Sequence, residues 1–78
     1  MTRTDYVQVI GQAEDEVMKN GVKGADSPLP TYYNWRAMIF LVIERKTGID
    51  CSGSLANTHG ELADELVLKS TPQSVTAL

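Results

Sequence analysis

One cysteine, one histidine and one phenylalanine are all that this chain has of three residue types on which small folds and small sites often depend. Cys51 has no second cysteine to pair with, which excludes an intrachain disulfide. Together Cys51 and His59 supply only two of the four ligands that a structural zinc ion takes, so no metal and no cofactor is expected. Apolar runs are short as well. None approaches the ~20 residues that span a bilayer, so no membrane association is expected. The opening Met1-Thr2-Arg3-Thr4-Asp5 lacks the basic start and apolar core of a signal peptide. A lone thiol then points to a reducing, cytoplasmic setting.

Basic residues are few. Seven Lys and Arg stand against ten Asp and Glu, for a net charge of −3. They are scattered as Arg3, Lys19, Lys23, Arg36, Arg45, Lys46 and Lys69. Only Arg45 and Lys46 adjoin, near a helix end whose dipole favours cations. Nucleic-acid binding normally concentrates such residues on one face, so no nucleic-acid partner is expected.

What is present is an ordinary globular composition, 42% hydrophobic and 22% charged over 78 residues. A chain this short buries a modest share of its surface and often needs a disulfide, a metal or self-association. With the first two set aside, association remains, and a homo-oligomer is expected.

Periodicity predicts an all-α bundle of three short helices, about 4–20, 32–47 and 55–69, forming one domain over 1–70 with a flexible tail at 71–78. Tyr6, Val9, Ile10, Ala13 and Val17 share one side at 100° per residue. Thr2 and Asp5 stand as N-cap and third helical position, and Asn20-Gly21 supplies the stop. Tyr6 to Ile10 also reads as a short strand, but the periodic continuation through Lys19 favours helix. Residues 21–30 hold two glycines and two prolines and read as a loop. Lys23 and its two glycines lack the Walker pattern that would make a phosphate cradle.

The second helix has Thr31 as its candidate N-cap and Gly48 as its stop. Met38 to Ile43 is β-branched enough for a buried strand, yet the uninterrupted stretch exceeds a usual strand. The third helix begins at Ser54 or at Thr58, where Thr-His-Gly-Glu61 matches a capping box. Leu55, Leu62, Ala63, Leu66 and Val67 form its apolar stripe, and Glu65 pairs with Lys69.

Candidate chemistry is sparse. Cys51, His59 and Asp50 are the residues from which a nucleophile–base pair would be built, but although Asp50 lies beside Cys51, the eight-residue gap to His59 does not establish the contact a base needs. A half-buried histidine and an unreactive thiol are the expected reading, and no catalytic residue is assigned. Glu14-Asp15-Glu16 point about 100° apart on a helix and cannot converge on one ion. A net charge of −3 is also too small for mimicry of nucleic acid, so a solvated face is expected.

The aromatics are the most informative group, because Tyr32, Tyr33, Trp35 and Phe40 fall within nine positions. On a helical wheel Trp35, Met38, Ile39 and Val42 make a core face within about 60°. Tyr33, Arg36, Phe40 and Glu44 make a second, mixed stripe. Tyr, Phe and Arg are enriched at interfaces, so this stripe is the candidate partner-binding surface. Val7, Gly11 and Met18 lie off the core face of the first helix and are candidates for self-association.

The expected function is a small acidic interaction module that self-associates and binds a host or partner protein. Its form is that of an accessory or inhibitor protein of phages or other mobile elements. The alternatives are a nucleotide binder that stacks on Tyr32 or Tyr33 and holds phosphate with Arg36, and a DNA-binding regulator. The regulator would need its third helix as reader, where Glu61, Asp64 and Glu65 repel phosphate. An enzyme is the least supported class.

Overall fold

Thr2 and Asp5 set the start of the first helix, α1 (Arg3–Met18), in the computed structural model, which describes residues 1–70. The Thr2 hydroxyl accepts from Asp5 N at 3.2 Å while the Asp5 carboxylate accepts from Thr2 N at 2.9 Å. This reciprocal pair satisfies two backbone donors that a helix start leaves open, and is worth about 1 kcal/mol. The stop comes earlier than expected. Lys19 turns left-handed at φ 59° and closes onto Asp15 O, and the Asp15 carboxylate then takes Gly21 N at 2.6 Å.

The second helix, α2 (Tyr33–Thr47), starts at Tyr32 with no side-chain cap, so Thr31 does not fill that role. It ends as predicted on Gly48, whose φ of 77° suits a residue without Cβ. The third, α3 (His59–Ser70), starts four residues later than 55, at the later of the two expected positions with Thr58 as its cap. Asn57 and Thr58 are held against the first loop instead, with Thr58 in an isolated bridge to Pro28. Leu29 N donates to Asn57 O, and His59 N and Gly60 N donate to Ser27 O and Ala25 O. Those two carbonyls, with the Thr58 hydroxyl on Glu61 N, cap the open end of α3. Gly60 is required there, since a Cβ would lie 2.9 Å from Ala25 O and 2.6 Å from an Arg3 Nη.

The result is the expected all-α bundle of three helices, and among the described residues there is no strand. The tail expected at 71–78 lies outside the described residues. Its layout differs from an even three-way packing, because α2 and α3 each pack on α1 and not on each other. The central α1 is therefore covered on several sides, and Tyr6, Val7, Ile10, Gly11, Ala13 and Glu14 are all buried. Ile39, Ile43, Leu62 and Leu66 complete the centre of one apolar cluster.

That layout corrects the assignment of faces on α2. Without α3 to cover them, Trp35 and Met38 remain 38% and 48% exposed, while Phe40 of the second stripe joins Ile39, Val42 and Ile43 in the core. It also removes Val7 and Gly11 as a surface for self-association. A Cβ on Gly11 would lie 2.8 Å from Val22 Cγ1, so the close neighbour that this glycine admits is the chain's own loop. Met18, the third candidate, is half-buried against the core.

Candidate functional site

The outer side of α2 carries two adjoining depressions. The deeper is a groove of about 430 Å³ between α2 and the loop that follows it. Ala37 and Leu41 line it from α2, and Asp50 with Ser52 to Leu55 from the loop. All four residues of the predicted stripe line it as well. The shallower depression, about 550 Å³, lies between Val17 of α1 and Met38, Leu41, Val42, Glu44 and Arg45 of α2. Leu41 and Glu44 belong to both.

The four stripe residues have different roles. Tyr33 projects outward at 77% exposure, and Glu44 is exposed with no ionic partner among the described residues. Phe40 is buried, with the Arg36 guanidinium carbon 5.3 Å above its ring. Arg36 itself is turned onto its own backbone. One Nη donates to Pro30 O at 3.2 Å and the other to Ser54 O and Ala56 O at 2.9 and 3.1 Å. The planar fork that suits phosphate here ties the start of α2 to the second loop. Tyr32, the other stacking candidate, faces Trp35 at 6.5 Å between ring centres.

Sequence reasoning missed two exposed aliphatic side chains of the groove. Leu41 is 61% exposed and Leu55 89% exposed. Leu41 is hidden in sequence by the apolar residues on either side of it. Leu55 reads as the first position of an apolar stripe, which it would occupy only if α3 began there.

The acidic run 14–16 divides three ways, as the helical angle requires, but the solvated face expected of it is corrected at its first member. Glu16 reaches Lys46 at 2.6 Å and Asp15 caps the end of α1. Glu14 is buried, where its Oε1 accepts from His59 Nε2 at 2.9 Å and from half-buried Lys23 at 3.3 Å. His59 is fully buried rather than half-buried, and its Nδ1 has no hydrogen-bond partner. The arrangement ties α1, the first loop and α3 together at one carboxylate oxygen.

Cys51 is buried apart from His59, which pairs with Glu14. Burial pushes its thiol up from an ordinary 9.0 to about 11, Glu65 adds to the shift and Lys69 opposes it. The reactive thiolate is thus suppressed. Iodoacetamide at pH 8 is expected to leave native Cys51 unlabelled and to label it fully in denaturant, and rapid labelling of the folded protein by intact mass would refute this. Because the folded value is the higher one, the associated stability is whole below pH 9 and is lost as the pH rises through 11.

Among the described residues no helix is long and apolar enough to cross a membrane, and no group of three His, Cys, Asp or Glu side chains is placed to hold a metal ion. Compared with protein-family models, with curated proteins and with solved structures, the chain matches none.

Proposed function

We propose that this protein is a protein-binding module whose contact surface is the outer side of α2 together with the loop at 50–55. The reading rests on one observation: Tyr33, Met38, Leu41 and Leu55 are exposed apolar side chains gathered around two depressions that share Leu41. Single exposed apolar residues are common and need no account, whereas a contiguous patch lining a concave surface marks an interaction site. Tyr33 lines the groove from α2 and Leu55 from the loop, so a partner's side chain would meet both. Phe40 and Arg36 belong to the scaffold of this surface rather than to its contacts.

The nucleotide reading is less favoured, because three of the five N–H donors of Arg36 are already committed to carbonyls. Self-association would use this same face, since Val7 and Gly11 are covered.

Leu41→Asp tests the proposal. Leu41 is exposed, so the change is expected to alter stability by no more than about 0.5–1 kcal/mol. A charge at the centre of a contact surface is expected to weaken binding by about 2 kcal/mol or more, roughly thirtyfold. Affinity capture with wild type and variant, each verified by circular dichroism, makes the comparison. Partners held equally by both would remove this face as the binding surface.

A further inference from the structure

The groove is lined mainly by apolar side chains, and the carboxylates that reach it are Glu44 from α2 and Asp50 from the loop. Glu44 on the α2 wall has no ionic partner among the described residues. On the loop wall the Asp50 carboxylate receives only the Ser52 N–H and hydroxyl, at 2.9 and 2.7 Å. The cations nearby offset them only in part. Arg36 is directed onto Pro30, Ser54 and Ala56. Lys69 is directed onto Glu65 at 3.4 Å and the Asp50 carbonyl at 3.0 Å, and after the Ser52 hydrogen bonds it helps to hold the Asp50 carboxyl below its ordinary value. Arg45 lines the shallower depression, which Glu44 also lines, and not the groove.

An incoming segment therefore meets an apolar slot between two open carboxylates. We infer that the groove receives a peptide segment of another protein with a bulky apolar side chain that enters between Tyr33 and Leu55, flanked by Lys or Arg that meet Glu44 and Asp50. A volume of about 430 Å³ takes one or two such side chains, well short of a whole helix face. An acidic segment would place like charges opposite both walls, which costs affinity and selects against it. A second copy of this chain fits less well, because it brings the same carboxylates to the contact.

This inference rests on the proposed function and goes further in naming the partner's chemistry. Its test uses two synthetic peptides of about 15 residues, long enough to form a helix on binding. Both carry central Leu and Phe anchors, one with Lys at every flanking position and its twin with Glu there. Amide and methyl shifts of the full chain are followed by NMR as each is added. The Lys peptide is expected to shift Leu41, Gly53 and Leu55 and to bind at least about tenfold more tightly than its twin, with the gap narrowing as salt shortens the screening length. Glu44→Lys, an exposed change that leaves the fold intact, is expected to close or invert that gap, and Asp50→Asn to reduce it. Equal binding of the two peptides, tighter binding of the Glu peptide, or shifts confined to other surfaces would overturn the inference. If the Glu peptide occupies the groove, the docking surface stands and only the partner's charge is wrong. If neither peptide touches it and Leu41 shifts only with protein concentration, the occupant is a second copy. If nothing engages it, the proposed function fails as well.

Discussion

Glu14→Ala is expected to cost the fold about 2–4 kcal/mol, since it strands a fully buried hydrogen-bond partner and leaves a cavity beside it. The whole stability of a 78-residue chain is of the order of 4–12 kcal/mol, so this one change threatens folding. The loss has three parts. His59 is fully buried with Nδ1 already unpartnered, and the substitution leaves Nε2 in the same state. Lys23, half-buried, loses its counter-charge and has to turn outward, loosening the loop that covers Gly11. A cavity opens on the central helix where three elements meet. Glu14→Gln keeps an oxygen for the His59 N–H and is expected to cost about 1–2 kcal/mol. Urea unfolding followed by circular dichroism measures both, and an alanine variant within 1 kcal/mol of wild type would show that the carboxylate holds nothing. Replacing Glu14 and His59 together by leucine is expected to cost less than the sum of the single changes, because neither polar group is then stranded.

The same residue shows where the sequence stops being legible. The start of α1 is readable because both partners of the cap lie within one turn, Thr2 and Asp5, and the end of α2 because Gly48 carries its own signal. Glu14 sits among two other acids on a helix and looks solvated. Its partners are 9 and 45 residues away, and no local pattern announces them.

The faces of α2 have the same difficulty. Met38 to Ile43 is apolar all round, so periodicity supplies no direction, and the inward side is set by α1 alone once α3 packs elsewhere. The stripe Tyr33, Arg36, Phe40 and Glu44 does come together at one groove, since spacing along a helix is enough to align them. The division of that stripe into contact and scaffold follows from the second loop, whose carbonyls take Arg36 out of solution. Leu55 joins the groove for a related reason: Leu29 and Ser27 bind the backbone at Asn57 and His59 and delay the start of α3 to His59.

Arg36 accordingly carries the second large effect. Arg36→Ala is expected to destabilise the protein by about 2–4 kcal/mol, since hydrogen bonds from a charged group contribute about 1.5–3 kcal/mol each and water recovers part of the loss at this half-buried site. For a domain of this size that lowers Tm by on the order of 10–20 °C. Lysine is no substitute. Its single nitrogen cannot reach Pro30 O on one side and Ser54 O and Ala56 O on the other, and it lacks the flat face that lies over Phe40. Arg36→Lys is therefore expected to recover less than half of the loss in thermal melts. Hydrogen exchange at 49–57 is expected to quicken in both variants, because the loop loses its tether to α2. The pattern opposes that of Leu41→Asp, which is expected to lose binding and keep stability. If Arg36→Lys melts with wild type while binding is lost, Arg36 is a contact residue and the division between scaffold and surface must be redrawn.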